Sequence, residues 1–305
     1  MKKDKFLIVI VGPTAIGKTA LSIKIAQYLG CEIISCDSRQ FFKEMTIGTA
    51  VPSAEELAAA PHHFIHNKSI FENYTVGDFE KEAIAKLDEL FKTNDFAVLV
   101  GGSGLYVDAV LKGFDDFPEV DPAIRIQISE NYEKEGISYL QAQLRQHDPK
   151  YFSVVARENP QRLMRALEVC LSTGKPYSSF LNQKKNTRNF TPILIGLEAE
   201  RKIIYERINQ RVNLMMADGL LAEAQDLHSF KELNALQTVG YRELFAFFEG
   251  DCTLDFAVEE IKKNTRRFAK RQLTWFKRSE NTQWFDYLSP VNDILTAIET
   301  LKNKN

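Results

Sequence analysis

The chain has 305 residues, 44% of them hydrophobic, and a formal net charge of −2. This length predicts about two domains with a sizeable core, and the near-neutral charge alone does not indicate a nucleic-acid-binding protein. The four cysteines include no C-x-x-C pair, so neither a zinc ribbon nor a disulfide framework is predicted. The charged N-terminus leads into a short apolar segment, which predicts neither a signal peptide nor a membrane span and favours a cytoplasmic protein.

A glycine-rich loop follows this first apolar segment, residues 6–11. Residues 12–19 fit the pattern G-x-x-x-x-G-K-[ST] at every fixed position, and residues 20–29 after them have helical spacing. In this strand-loop-helix context, backbone amides and the positive end of the helix surround a phosphate group. A di- or triphosphate is therefore predicted to bind Gly12, Pro13, Thr14, Ala15, Ile16, Gly17, Lys18 and Thr19, with the Thr19 hydroxyl as a ligand of Mg²⁺.

Three further apolar segments read as buried strands, at residues 32–36, 96–100 and 193–197. Helical patterns lie between them, which predicts an α/β fold with an open parallel sheet flanked by helices, of the phosphate-loop type. Ligands of such sheets bind at the carboxyl ends of the strands. We therefore expect Lys18, Asp37 and Ser103, each just beyond a predicted strand, to converge at that edge.

No strand pattern occurs between residues 115 and 186, where helical patterns dominate. One helix is clearly delimited, because Asn159 and Pro160 form a favourable start and Gly174 a favourable stop. This segment is predicted to be an inserted all-helical domain. The sheet domain is then formed by residues 1–114 and 187–305.

Two loops after predicted strands carry candidate catalytic side chains. Asp37 begins the first of them, and its carboxylate either accepts a proton or holds an amine, or else caps a turn. The second, residues 101–106, contains Ser103 and has no acid at the strand end, where phosphate-loop ATPases place an aspartate for Mg²⁺. This absence argues against simple ATP hydrolysis. The alternative is a glycine-rich turn shaped only for helix packing.

Basic side chains define three further features. Arg211 lies within an apolar helical stripe, so it needs an anionic partner, either a structural carboxylate or a ligand phosphate. Gln161, Arg162 and Arg165 form a small polar face on the helical insertion. A long basic segment is predicted to contact a nucleic-acid backbone, with a merely solvated helix as the alternative; it comprises Lys262, Lys263, Arg266, Arg267, Lys270, Arg271, Lys277 and Arg278.

The only histidine cluster is His62, His63 and His66. It lies after a proline, among residues that read as a loop. No acid or cysteine completes a set of metal ligands, so a metal site is not predicted there.

The chain resembles the tRNA dimethylallyltransferases, also called tRNA isopentenyltransferases, over nearly its whole length. The resemblance runs through residues 12–19, 37–40, 47–50, 61–63, 101–106, 165–169, 239–242, 269–272 and 274–276. It implies Mg²⁺-dependent transfer of a dimethylallyl group from dimethylallyl diphosphate to N6 of the adenine just 3′ of the tRNA anticodon. We expect a monomeric, bacterial-type enzyme, since the zinc-finger extension of eukaryotic members is not found.

The resemblance also implies residue roles. Asp37 is the base for N6, Ser103 orients the reacting groups, and Arg211 helps Lys18 to stabilise the departing diphosphate. The target adenine is expected to be flipped out, with the helical insertion clasping the anticodon stem from the far side. The basic segment is expected to contact the tRNA. The individual residues expected to contact it are Asp37, Ser38, Arg39, Gln40, Ser103, Arg125, Gln161, Arg162, Leu163, Met164, Arg165, Arg242, Arg266, Lys270 and Arg271.

Four positions depart from the family pattern. Ser103 replaces a common threonine but keeps the hydroxyl, whereas Phe42, Val51 and His66 replace a usual tyrosine, lysine and aspartate. We expect these to alter tRNA contacts and not the chemistry. Two other functions stay open on the residues alone: a small-molecule kinase that binds ATP at the phosphate loop, and a nucleotide-gated RNA-binding protein without chemistry of its own.

Overall fold

The computed structural model describes residues 4–115, 117–181 and 188–303. Its contacts divide the chain into two units, one formed by residues 1–112 and 188–305 and the other by residues 113–187. This division lies within two residues of the boundaries predicted from the sequence. Among the described residues, no helix is both long enough and apolar enough to cross a membrane.

The larger unit contains a six-stranded sheet in the order β3-β2-β4-β1-β5-β6. Every pair of neighbouring strands is parallel, which confirms the predicted α/β class. The strands are β1 (Phe6–Val11), β2 (Ile33–Ser35), β3 (His62–His63), β4 (Phe96–Val100), β5 (Thr191–Glu198) and β6 (Gln283–Asp286). The helices of this unit are α1 (Lys18–Leu29), α2 (Ala54–Ala59), α3 (Val76–Leu90), α4 (Gly104–Lys112), α9 (Arg201–Ala217), α10 (Leu220–Leu227), α11 (Tyr241–Phe248), α12 (Leu254–Phe276) and α13 (Val291–Lys302).

Strand β1 lies at the centre of this sheet, and all six of its residues are buried. Its side chains alternate between two cores, as strand geometry requires. Ile8 and Ile10 pack with residues of α1 and α13, whereas Leu7 and Val9 pack with residues of α3 and α4. Helices therefore cover both faces of the sheet, and only its edges and strand ends remain for ligands.

Two strands were not predicted, and both lie at the edges of the sheet. The prediction of a loop at the histidine cluster is wrong for His62 and His63, which pair with Ile33 and Ile34 of β2. A two-residue strand is too short to produce a hydrophobic pattern. The other missed strand, β6, pairs only with β5 and is partly exposed. Its two end residues are exposed and its two central ones half-buried, so no apolar run marks it in the sequence.

The smaller unit contains α5 (Pro122–Glu135), α6 (Ile137–His147), α7 (Pro149–Phe152) and α8 (Pro160–Thr173), and no strand among its described residues. The predicted limits of α8 are confirmed. The Asn159 side chain accepts a hydrogen bond from the Arg162 amide, and Gly174 ends the helix with φ of 65°. The core of this unit is formed by residues such as Ile128, Leu140 and Leu167, which are fully buried.

Candidate functional site

A cavity of about 900 Å³ lies at the carboxyl ends of β1, β2 and β4. The phosphate loop, the loop that begins at Asp37, the loop of residues 101–106 and one face each of α9 and α12 line it. Lys18, Asp37 and Ser103 all face this one cavity, as expected from the strand-end rule. The residues found to line it, among those that the structure describes, belong to the larger unit.

The phosphate loop has the backbone geometry that its glycines permit. Gly12 has φ of 148°, and a Cβ atom there would lie 2.6 Å from the Leu197 carbonyl oxygen. Gly17 has φ of 109° and caps α1, so the first amides of that helix point toward the cavity. The Lys18 ammonium donates to the Pro13 carbonyl at 2.8 Å. The loop therefore has the glycine conformations that a phosphate-binding loop requires.

Three side chains from the neighbouring helices hold this loop in place. The Arg211 guanidinium donates to the Thr14 hydroxyl at 3.1 Å. Arg207, one turn earlier on α9, donates to the Ala15 carbonyl at 2.7 Å. From α12, the Gln272 side-chain oxygen accepts a hydrogen bond from the Thr14 amide at 2.9 Å. The loop is fixed both by its own turns and by two helices from the other end of the chain.

The charge on Lys18 is destabilised in the free protein. Burial of its ammonium, together with the positive charge of Arg211, lowers the pKa of Lys18 to about 8, against the opposing effect of Asp37. Burial also lowers the pKa of Arg211, while Asp37 favours its charged form. Two partly desolvated cations facing one cavity form a site that attracts a multiply charged anion.

The sequence predicts that Arg211 binds either a structural carboxylate or a ligand phosphate, and its hydrogen-bond partner in the structure distinguishes these two predictions. Ile204 and Ile208 are buried as expected, and Arg211 follows them on α9. No carboxylate among the described residues lies within ion-pair distance of its guanidinium. Its hydrogen bond goes to the Thr14 hydroxyl of the phosphate loop. The structural ion pair is therefore not found, and the guanidinium faces the cavity.

Asp37 and Ser103 are brought together through Ser38, the chain neighbour of Asp37. The Asp37 carboxylate accepts a hydrogen bond from the Arg39 amide at 3.1 Å, which forms a local turn. The Ser103 hydroxyl accepts from the Ser38 amide at 3.2 Å and donates to the Ser38 hydroxyl at 3.1 Å. The loops after β2 and β4 are thus joined at the positions that carry these two side chains.

Arg39 and Gln40 form hydrogen bonds within the protein. Arg39 donates to the Asn234 carbonyl at 3.0 Å. The Gln40 amide donates to the carbonyls of Thr49 and Ala50 at 3.2 and 2.9 Å. These bonds shape the cavity wall, so any contact of these two residues with RNA is made from a fixed position. Of the four departures from the family pattern, Ser103 is hydrogen-bonded to Ser38, Phe42 is buried, Val51 lines the cavity and His66 lies 3.4 Å from the Thr46 hydroxyl.

The basic helix α12 is less uniformly cationic than its sequence predicts. Lys262 and Lys263 form ion pairs with Glu259 and Glu260, one turn earlier. Arg266 donates to the Asn209 side chain at 2.7 Å. The exposed cations on this helix are Arg267, Lys270 and Arg271, of which Arg271 lines the cavity beside the ring of Phe268.

The helical unit has its own polar cluster. Arg125 pairs with the buried Glu168 at 2.8 Å and also donates to Gln161 at 2.8 Å. Arg165 lies 3.4 Å from the same carboxylate. Leu163 and Met164 are buried in the core of this unit. Their side chains face inward on the same helix that exposes Gln161, Arg162 and Arg165, and contact of these two positions with tRNA stays a prediction.

Sequence reasoning missed Gln272 and Arg207, which hold the phosphate loop. Gln272 is 6% exposed, and it lies on the buried face of α12 with Ala269 and Phe276. One sequence signal could have identified Gln272 as a buried polar residue. It lies three and four residues from apolar side chains on the same helix face. Its partners are 258 and 170 residues away in the chain, so local patterns do not identify them.

No group of three or more His, Cys, Asp or Glu side chains within the described ranges is arranged to hold a metal ion. The Thr19 hydroxyl lines the cavity in the first turn of α1. It has no hydrogen-bond partner in the described parts of the chain. Mg²⁺ at phosphate sites takes few protein ligands and completes its shell with phosphate oxygens and water. A hydroxyl beside the phosphate loop fits that requirement.

The family profile described as IPP transferase matches residues 40–279 of this chain. The tRNA dimethylallyltransferase of Flavobacterium johnsoniae is 69% identical, with 98% of this chain and 99% of that protein covered. The protein of the same name from Flavobacterium psychrophilum is 66% identical, covering 97% and 98%.

Solved structures show the same architecture. The crystal structure of the full-length tRNA isopentenylpyrophosphate transferase from Bacillus halodurans matches with a TM-score of 0.73 and 36% identity, over 99% of this chain and 97% of that chain. A eukaryotic dimethylallyltransferase acting on tRNA matches with a TM-score of 0.79 and 25% identity, over 93% and 74%. With the phosphate loop, the strand-end side chains and these similarities in agreement, the chain belongs to the IPP transferase family.

Proposed function

We propose that this protein transfers a dimethylallyl group from dimethylallyl diphosphate to N6 of the adenine just 3′ of the tRNA anticodon, and releases diphosphate. The observation that carries the proposal is the shared cavity. A phosphate loop with two cations and a carboxylate–hydroxyl pair line this same cavity. A kinase is disfavoured, because the relatives matched over nearly the whole chain are named as tRNA dimethylallyltransferases.

In this proposal the phosphate loop holds the diphosphate and the cations stabilise the leaving group. The bond between C1 of the dimethylallyl group and the diphosphate oxygen breaks, and its electron pair leaves with the diphosphate. Negative charge grows on that oxygen, where Lys18 and Arg211 are placed to stabilise it. Mg²⁺, when bound, neutralises further charge on the diphosphate, and the Thr19 hydroxyl is the protein ligand that would hold it.

The new bond forms between adenine N6 and C1. N6 is a weak nucleophile, so removal of its proton assists the step, and the Asp37 carboxylate is the proposed acceptor. Ser103 is proposed to hold the base in line with C1, because its hydroxyl is fixed beside Asp37 by Ser38. The adenine reaches the cavity only as a flipped nucleotide. We propose that Ser38, Arg39, Gln40 and Arg242 in the larger unit, and Arg125, Gln161, Arg162 and Arg165 in the helical unit, contact the tRNA.

The function is tested with purified protein, dimethylallyl diphosphate, Mg²⁺ and an anticodon stem-loop, without ATP. Mass spectrometry of the digested RNA is expected to show adenosine heavier by one dimethylallyl group. Replacing the target adenine with guanine should abolish the product. Phosphate transfer from ATP without prenyl transfer would identify a kinase, and RNA binding without modification would identify a binding protein. We further propose that the enzyme is cytoplasmic and monomeric.

Exposed cations of α12 are expected to bind tRNA phosphates without reading sequence. Lys270→Ala with Arg271→Ala should lower tRNA affinity and flatten its salt dependence by about 0.7–0.9 of log–log slope for each lost contact. Arg266 is omitted from this variant because Asn209 holds its side chain. The matched control, Lys262→Ala with Lys263→Ala, also removes two charges, but both already have glutamate partners. Filter binding at several salt concentrations measures the slopes. Equal slopes for the two variants would show that the exposed cations of α12 contact solvent and not the tRNA.

Diphosphate affinity should depend on the protonation of Lys18, whose pKa is about 8. The bound diphosphate favours the ammonium, so binding raises this pKa. Affinity should then be nearly constant from about pH 7 to about pH 8 and fall above it, by at most about tenfold per pH unit. The ligand is fully ionised there, because phosphate groups finish ionising near pH 6. Calorimetry with Lys18→Arg, which keeps its charge, should show a flatter profile; a similar fall in both proteins contradicts the assignment.

A further inference from the structure

Gln272 joins the two halves of the candidate site through one buried side chain. Its amide oxygen accepts a hydrogen bond from the Thr14 amide in the phosphate loop at 2.9 Å. Its amide nitrogen donates to the Gly102 carbonyl, next to Ser103, at 2.9 Å. Because one partner is a donor and the other an acceptor, the orientation of this amide is fixed.

The surroundings of Gln272 leave it no alternative position. The side chain is 6% exposed. A Cβ atom on Gly102 would lie 2.2 Å from the Gln272 nitrogen, so the loop after β4 approaches this side chain as closely as only glycine permits. Thr14 is held from the other side by Arg211. The phosphate loop therefore has a fixed distance to the loop that carries Ser103.

Resting on the proposed function, we propose that Gln272 is a positioning residue for prenyl transfer. The electrophilic carbon is bound through its diphosphate at the phosphate loop, and the adenine is held by Asp37 and Ser103. Gln272 forms hydrogen bonds to both loops. Misplacement of reacting groups by about 1 Å can cost about a hundredfold in rate. Loss of the bridge should therefore slow the chemical step more than it weakens the binding of either substrate.

Gln272→Glu is the sharpest test, because it keeps the shape and the bond from the Thr14 amide. An ionised glutamate turns an oxygen toward the Gly102 carbonyl and loses that bond, whereas a protonated one donates and restores it. The single-turnover rate at saturating substrates should fall by about tenfold to a hundredfold at high pH. Its ratio to the wild-type rate should rise as the pH falls.

The ratio removes the pH dependence that the two proteins share, and the shifts that the new carboxylate causes in neighbouring groups remain in it. Charged and titratable groups that line the cavity include Lys18, Asp37, Arg39, Tyr106, His62 and Glu56, with the cations of α9 and Arg271 on α12. Thr274→Val is the matched control on the same helix: it is exposed, its hydroxyl donates only to the Lys270 carbonyl, and its rate should be unchanged.

Gln272→Leu provides the second measurement. Its rate should fall by about tenfold to a hundredfold at every pH, with Michaelis constants changed by less than about threefold. Adding Gly102→Ala should cost little more, since it breaks the same contact from the other loop. A pH-independent ratio for Gln272→Glu, or losses confined to melting temperature or to substrate affinity, would overturn the proposal. Wild-type protein that transfers no prenyl group would instead overturn the proposed function.

Discussion

Asp37→Asn is expected to lower prenyl-transfer turnover by about two to four orders of magnitude, the usual contribution of a general base. Asparagine has the same shape but does not take the proton from N6. The Asp37 oxygen accepts one hydrogen bond, from the Arg39 amide, and the asparagine oxygen can accept the same bond. Melting temperature and diphosphate affinity should therefore stay close to wild type, and rapid-quench kinetics isolate the chemical step.

A matched control for this variant is Asp148→Asn in the helical unit. Asp148 is 1% exposed and accepts hydrogen bonds from Tyr151 and Ser178. Its substitution should lower the melting temperature, because a buried carboxylate with several donors is replaced by a group with fewer acceptors. Asp37→Asn should thus change the turnover, whereas Asp148→Asn should change the melting temperature. Near-normal turnover of well-folded Asp37→Asn would remove Asp37 as the base.

The central part of the fold was predictable because its strands have strong local signals. β1 and β4 are continuous apolar runs of strand length, and the phosphate loop fixes where α1 begins. The edge strands were not predictable in the same way. β3 has two residues and β6 is only partly buried, so neither contains enough apolar side chains for a pattern.

The candidate site divides similarly into local and distant parts. Lys18, Asp37 and Ser103 follow strands, and the geometry of a parallel sheet brings strand ends together whatever the rest of the chain does. The pairing of Arg266 with Asn209 and of Gln272 with Thr14 depends on how α9 and α12 pack across the sheet. Such contacts join distant segments and leave only the faint signal of a polar side chain on a buried helix face.

Helix geometry divides the tRNA contacts predicted for residues 161–165. Leu163 and Met164 belong to this set, and their contact with tRNA stays a prediction. On α8 they share a face with Ala166 and Leu167, all buried. The spacing of these apolar residues already predicted an inward-facing stripe. A contiguous motif on a helix therefore divides into exposed positions available to RNA and buried positions that support them.

Arg211→Ala is expected to lower the single-turnover rate by about two to three orders of magnitude, the typical loss when one donor to a developing anion is removed. The melting temperature should change little, since the guanidinium has no carboxylate partner among the described residues and its hydrogen bond goes to the Thr14 hydroxyl. Arg211→Lys should recover part of the rate, because it restores the charge without the planar fork.

Thr14→Val separates the two ways in which Arg211 can act. This variant removes the hydroxyl that accepts from Arg211 and keeps the Thr14 amide that donates to Gln272. If Arg211 stabilises the leaving diphosphate directly, Thr14→Val should lose less than about tenfold in rate, because the guanidinium keeps its charge and its place in the cavity wall. If Thr14→Val reproduces the loss of Arg211→Ala, the arginine acts by holding the phosphate loop. Single-turnover rates of the two variants, measured with saturating dimethylallyl diphosphate, therefore decide whether this guanidinium contacts the leaving group.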